Sequence, residues 1–143
     1  MRQQTIYSLT ISGLIPFVIG TVYQINPEIL PSVNWLALII PYYSAVILAF
    51  LGGIQWGVSL SHPHISTAQW LIVSNVIALI AFVSLLLPSL TMTLVTLLIG
   101  YGIALAADIG IFQSARPPHG YRTLRIVITS MVGILLLINI ISH

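Results

Sequence analysis

The chain has 143 residues, of which 58% are hydrophobic and only 4% are charged. Soluble domains carry roughly 25% charged residues, so a chain of this composition would aggregate in water. Its charges are four arginines set against Glu28 and Asp108, and it contains neither lysine nor cysteine. The sequence therefore predicts an integral membrane protein. It excludes disulfides, thiolate metal sites and Schiff-base chemistry within the chain, and it argues against nucleic-acid binding.

Five apolar runs are long enough to cross the hydrocarbon layer, which takes about 20 helical residues. They cover residues 5–23, 34–60, 67–87, 90–115 and 121–141, separated by short polar or proline-bearing stretches. Because backbone groups in lipid must pair within the chain, we interpret these runs as helices. The prediction is an all-α bundle of about five transmembrane helices forming one domain over residues 1–143. Pro16 and Pro41 are expected to kink the first and second helices.

The arginines predict the orientation of this bundle. With five spans, the N-terminus, the second loop and the fourth loop share one side of the membrane. That side holds every arginine of the chain, namely Arg2, Arg116, Arg122 and Arg125, whereas the opposite side holds Glu28 and no basic residue except the C-terminal His143. By the positive-inside rule, the N-terminus is predicted inside and the C-terminus outside.

Small residues recur every four positions on two of the predicted helices. Such residues let backbones approach closely, which is how helices associate in lipid. We expect them to pack helices within the bundle, and contact between two copies of the chain is the alternative. The packing positions are Ala45, Ala49, Gly53 and Gly57 on the second helix, and Gly102, Ala106, Gly110 and Ser114 on the fourth.

Asp108 lies well inside the fourth predicted span, where an unpaired carboxylate costs about 2.5–3.5 kcal/mol. Arg125 lies at a matching depth beyond the Pro117-Pro118 turn, so the two are predicted to pair. Gln55, Trp56 and Arg122 are expected at the same end, which completes a predicted polar cluster of five residues. Either the pair only fixes helix docking, or the cluster forms an inward-facing site whose arginines bind a carboxylate, phosphate or quinone-like oxygen.

Several segments resemble one family of membrane proteins. They are residues 13–17 (GLIPF), Tyr43 with residues 47–57 (ILAFLGGIQWG), Asp108, and residues 121–125 (YRTLR). This pattern is similar to that of the transmembrane protein 69-like family, also described as domain of unknown function 3429, and it covers nearly the whole chain. The resemblance implies a bacterial or mitochondrial inner-membrane protein and no known reaction. The family is expected to carry arginine where Gln55 stands here.

Catalytic and cofactor patterns are weak in this sequence. No histidine lies in the middle of a predicted span, because His62, His64 and His119 fall in loops and His143 is terminal. A haem bound by two helical histidines is therefore not expected, and no metal site is predicted. The two carboxylates lie on opposite sides of the bilayer, so they cannot form an acid and base pair. The sequence predicts a non-catalytic protein without cofactor.

Two functions of different class remain. The favoured one is an accessory subunit or assembly partner of a larger inner-membrane complex, with the lipid bilayer and other membrane subunits as partners. The alternative is a small binding or transport protein for an amphiphile or anion, which would use Gln55, Trp56, Asp108, Arg122 and Arg125. A cavity beside Arg125 would favour the second function, and a fully closed bundle end would remove its site.

Overall fold

The structure, a computed structural model, describes residues 2–29, 33–62, 67–115, 117 and 119–143. Within these ranges the secondary structure is entirely helical, which confirms the predicted all-α class. His64 and Arg116, used above for a loop and for the orientation, lie outside the described residues. The α-helices are α1 (Arg2–Ser12), α2 (Ile15–Ile25), α3 (Ile39–Ser61), α4 (Thr67–Ser84), α5 (Leu90–Ser114) and α6 (Tyr121–Ser142), with short 3-10 helices at Pro27–Ile29 and Asn34–Leu38.

The five predicted spans correspond to these helices, with α1 and α2 together forming the first. Four segments are long and apolar enough to cross a membrane, and they are Gln4–Ile25, Trp35–Ser61, Leu90–Ser114 and Tyr121–Ser142. The remaining helix contributes a shorter apolar stretch, Ala68–Ser84. The described part of the chain therefore supports a multi-pass membrane protein.

The first span is broken between α1 and α2. Pro16 has no N–H, and its ring crowds the carbonyl of Ser12, four residues earlier. The regular hydrogen bonding of the helix is therefore interrupted there. The Tyr43 hydroxyl donates a hydrogen bond to the Gly13 carbonyl at 3.1 Å, which pairs a backbone oxygen that the break leaves without a helical donor. The kink predicted at Pro16 is thus present as a full interruption that α3 stabilises.

The second predicted span changes from a 3-10 helix to an α-helix near its proline. Residues Asn34–Leu38 are a 3-10 helix, and the α-helix begins only at Ile39. Pro41 therefore lies in the first turn of α3, where its missing N–H leaves no hydrogen bond unmade. The predicted kink inside this helix is replaced by a change of helix type before the proline.

A tight turn joins α4 to α5, as the Pro88-Ser89 pair predicts. Ser89 caps α5, because its hydroxyl accepts a hydrogen bond from the Met92 amide at 3.2 Å. The Thr93 hydroxyl donates to the Ser84 carbonyl at 2.9 Å, which satisfies the last turn of α4. These bonds cap the start of α5 and pair a carbonyl at the end of α4, which stabilises the turn between the two helices.

Helix α3 is central to the bundle, since it packs against α4, α5 and α2, while α6 packs against α5 and α2. The core consists of apolar side chains from α2 to α6, including Phe17, Leu48, Ile77, Leu97 and Leu136. Large apolar side chains cover much of the outer surface as well. An apolar exterior is what a lipid environment requires.

Candidate functional site

Asp108 and Arg125 meet inside the bundle, as their matched depths predict. Asp108 lies on α5 and is 2% exposed, and Arg125 lies on the second turn of α6 and is 7% exposed. Arg125 Nε donates to Asp108 Oδ2 at 2.8 Å, and Arg125 Nη2 bonds the same oxygen. The two charges therefore compensate each other in an almost fully buried pair, and removing either partner would leave an uncompensated charge.

Gln55 of α3 completes the contacts of Asp108. Its Nε2 atom donates to Asp108 Oδ1 at 2.9 Å and to the Ala104 carbonyl at 2.9 Å. Both carboxylate oxygens are thus hydrogen-bonded, and three helices are tied together at one point. The other amide atom, Gln55 Oε1, is buried and accepts no hydrogen bond from the described residues. The polar cluster of the structure is therefore Gln55, Asp108 and Arg125.

Trp56 and Arg122, the other two members of the predicted cluster, do not join it. Trp56 is 41% exposed, because it follows Gln55 directly and so faces about 100° away on the helix. Arg122 is exposed at the start of α6, whereas Arg125 and Thr129 of the same predicted face are buried. Of the three residues of that predicted face, Arg125 and Thr129 thus point into the bundle and Arg122 remains on its outside.

The small-residue positions divide between the interior and the surface. A Cβ atom added at Gly53, Gly57 or Gly102 would meet nothing within 4 Å, so these glycines do not pack helices within the described chain. Ala106 is exposed as well, while Ala49 is half-buried against the core. The predicted intramolecular contact is found at Gly110, where a Cβ would lie 2.5 Å from the Trp70 ring.

Close helix contact occurs instead at glycines one or two positions away from the predicted ladders. A Cβ at Gly52 would lie 2.7 Å from the Ser74 carbonyl of α4, and one at Gly100 would lie 2.5 Å from Leu48. On α2, a Cβ at Gly20 would lie 2.8 Å from Ile40. Because Gly52 and Gly53 are adjacent, either could have been the glycine that contacts a neighbouring helix. The four-residue spacing favoured Gly53, which faces outward.

A groove opens beside the polar cluster, between the broken first span, α3 and α6. Its volume is about 430 Å³, within the range of small-molecule sites. Its wall is mostly apolar, with Leu9, Phe17, Ile47, Ile54, Ile128 and Val132 among the lining residues. Phe50 and Leu9 at its rim are strongly exposed on the outer surface of the bundle, so the groove opens sideways, toward lipid.

Among the described residues that line the groove, Arg125 is the only charged one. Its Nη1 atom has no acceptor in the described part of the chain. Among the described residues, the fully buried side-chain atoms without a hydrogen-bond partner are Ser44 Oγ and Gln55 Oε1, so Nη1 is not fully buried. Thr10 and Tyr121 supply the other polar side chains of the lining. Arg125 thus neutralises Asp108 and also lines the groove.

Sequence reasoning identified Arg125 and allowed an inward-facing site beside it, but it did not predict that α1 forms one wall of the groove. Thr10 and Tyr121 carry no motif, and their proximity depends on where α1 lies against α6. Tyr121 packs edge-on against Phe112 of α5, with ring centres 5.6 Å apart. Gly120, at φ 79°, starts α6 from a left-handed conformation that suits glycine. The segment of residues 121–125 stood out only through the family resemblance.

A second set of buried polar contacts lies away from the groove. Asn139 Nδ2 donates to Thr21 Oγ1 at 2.8 Å and joins α6 to α2, and the Tyr101 hydroxyl donates to the Ser44 carbonyl at 2.9 Å. These bonds satisfy side chains inside the bundle and border neither Arg125 nor the groove. We interpret them as structural.

Comparison with known proteins gives a consistent result. The sequence profile of the family described as protein of unknown function (DUF3429) matches residues 2–141. The chain is 31% identical over 144 residues to transmembrane protein 69 of Xenopus tropicalis, an alignment covering 94% of this chain and 55% of that protein. It is 32% identical over 136 residues to transmembrane protein 69 of Mus musculus, covering 93% and 54%. The chain therefore spans about half the length of these curated relatives. No solved structure matches it significantly.

Proposed function

The chain belongs to the family described as protein of unknown function (DUF3429), and from that premise we propose that it is a non-catalytic membrane protein that binds an amphiphile in the groove beside Arg125. The observation that carries the proposal is an arginine only 7% exposed at the wall of a largely apolar groove of about 430 Å³. Most ligand sites combine apolar walls with a few fixed polar groups. Arg125 is fixed by Asp108, so its orientation needs no ligand.

The position of the groove agrees with this function. It borders Tyr121, Arg125, Ile128 and Val132, a distance of about 16 Å along α6 at 1.5 Å per residue. A hydrocarbon chain or ring system would lie along the apolar part, with its polar end at Arg125. The sideways opening would let such a molecule enter from the bilayer without crossing water.

Native mass spectrometry of the protein extracted in mild detergent tests the proposal. We expect a bound small amphiphile on the wild-type protein, and loss of that adduct in Ile128→Trp, which fills the groove. The matched control is Ile99→Trp, an outward position on α5 that leaves the groove unchanged. A wild-type protein without any adduct, or an adduct retained by a folded Ile128→Trp protein, would contradict the proposal. Ile54→Trp serves as a second groove-filling variant.

A second candidate is the accessory subunit of a larger membrane complex, which the sequence favours. Its support is the exposed face of α3 at Gly53 and Gly57, which no described residue covers. A flat helix face of this kind permits close packing by a helix of another subunit or of a second copy. Purification in mild detergent with the native neighbours tests this candidate, and a chain that always migrates alone would count against it.

The orientation and the membrane remain part of the proposal. Arg122 and Arg125 open α6, so the positive-inside rule assigns this end to the inner side of a bacterial or mitochondrial inner membrane. Because the chain has no cysteine, single cysteines can be introduced without background labelling. An impermeant thiol reagent applied from outside should label Ser142→Cys and spare His62→Cys. The reverse pattern would overturn the orientation.

A further inference from the structure

Arg125 keeps guanidinium N–H groups beside the groove after it has bonded Asp108. Nε and one N–H of Nη2 bond Asp108 Oδ2, and the described chain supplies no acceptor for Nη1. The remaining N–H groups of Nη1 and Nη2 can bond one acceptor atom or two, so it is the charge of the site that distinguishes a carbonyl from an anion.

The charge balance of the site restricts the chemistry of the ligand. Asp108 and Arg125 together carry no net charge, and Gln55, which bonds the other carboxylate oxygen, is neutral. Arg122 is exposed and does not line the groove, and among the described residues that line it the side chains other than Arg125 are uncharged. An anionic head group would therefore add an uncompensated charge to an apolar site.

We propose that the polar end of the bound amphiphile is an uncharged carbonyl acceptor, such as an ester or a quinone-like carbonyl, and that carboxylates and phosphates are disfavoured. This inference rests on the proposed binding function and specifies the ligand class of the same groove. A neutral carbonyl accepts the Nη1–H bond and adds no charge. Asp108 thereby affects specificity without touching the ligand, because it neutralises the positive charge of Arg125 that would otherwise attract an anion.

The first test compares methyl oleate with sodium oleate, which share one hydrocarbon chain and differ in the charge of the polar end. Binding to the wild-type protein is measured by native mass spectrometry against the mole fraction of each compound in the detergent micelle. Expressing the affinity per mole fraction in the micelle removes the effect of the different partition of the two compounds between water and micelle. Binding to Ile128→Trp is subtracted as association outside the groove. We expect the ester to bind roughly tenfold tighter or more than the carboxylate at neutral pH.

The second test changes the charge of the site. Asp108→Asn leaves Arg125 without a countercharge, so the preference should reverse and oleate should bind more tightly than methyl oleate. If the Asp108→Asn protein does not fold, a titration of the wild-type protein replaces it. Lowering the pH until oleate is protonated should then raise its affinity toward that of the ester, while the ester's own affinity stays constant.

The outcomes separate this inference from the proposed function. Failure of both compounds to bind in the groove would count against amphiphile binding itself. Wild-type protein that binds oleate as tightly as methyl oleate, or a folded Asp108→Asn protein that still prefers the ester, would overturn the uncharged ligand class and leave the groove as a binding site. An affinity for oleate that does not change on protonation would overturn it as well.

Discussion

The junction of α3, α5 and α6 differs sharply from the N-terminal pair α1 and α2. At the junction, Gln55, Asp108 and Arg125 are almost fully buried and bonded to one another. In the N-terminal pair the helix is interrupted at Gly13-Leu14, and the α1 side chains from Gln4 onward are exposed or half-buried. A charge pair thus closes one part of the bundle, whereas the groove opens beside the broken first span. Disturbing the two regions should therefore lower the free energy of unfolding by different amounts.

The largest effect is expected from breaking the charge pair. Arg125→Met leaves the Asp108 carboxylate buried without a countercharge, which should lower the free energy of unfolding by about 3–5 kcal/mol. The measurement is equilibrium or thermal unfolding in detergent, followed by circular dichroism.

Two controls belong to this prediction. Arg122→Met removes an exposed arginine from the same helix and should change the free energy of unfolding by less than about 0.5 kcal/mol. The double variant Asp108→Leu with Arg125→Met should recover most of the lost stability, because neither charge remains. Equal stability of Arg125→Met and Arg122→Met would show that the pair contributes nothing to closing the junction.

A smaller effect is expected from adjacent glycines on α3. Gly52→Ala places a Cβ 2.7 Å from the Ser74 carbonyl, so the backbones of α3 and α4 must separate. Overpacking of this kind costs about 1–3 kcal/mol of unfolding free energy. Thermal unfolding in detergent measures it.

Gly53→Ala is the matched control, since its Cβ would meet no atom within 4 Å. It should be neutral or stabilising by about 0.5–1 kcal/mol, because alanine loses less backbone entropy in a helix. The opposite ranking of the two variants would mean that α3 packs through its outer glycines. Gly53→Ala that weakens an oligomer while leaving the monomer stable would support the alternative of contact between copies.

The smallest effect is expected where α3 supports the broken first span. Tyr43→Phe removes the hydrogen bond to the Gly13 carbonyl, and interhelical hydrogen bonds in membrane proteins average about 0.6 kcal/mol. Tyr42→Phe is the control, because Tyr42 is 54% exposed and donates no hydrogen bond to the described residues. Unfolding of both variants in the same detergent gives the difference. A loss for Tyr43→Phe as large as that for Arg125→Met would remove the contrast between the two regions.

Much of the cluster was predictable because depth in a membrane can be counted along the sequence. Asp108 and Arg125 lie on consecutive helices at similar distances from the turn between them, and an acidic group in hydrocarbon requires a countercharge. The same counting placed Gln55 at their level. It could not place Trp56 and Arg122, because sharing a depth does not mean facing the same direction around the helix.

The glycine ladders show the limit of periodicity. Gly53 and Gly57 form the regular motif, yet it is Gly52 that contacts α4. Every position of α3 is apolar or small over several turns, so the sequence carries no contrast between a buried and a lipid-facing side. In water a polar face would have marked the exterior, but lipid requires none.

The amino-acid sequence alone was enough to predict that this protein lies in a membrane, that it is all-helical, and that Asp108 pairs with Arg125. Each of these follows from the cost of leaving a polar backbone or a charge unpaired in hydrocarbon, which depends on composition and depth alone. The tertiary structure decided which glycines touch, which way Trp56 and Arg122 face, and that a groove adjoins Arg125. Those features depend on the rotation of each helix about its axis and on the broken path of α1 and α2, and van der Waals packing between nearly uniform apolar surfaces sets both.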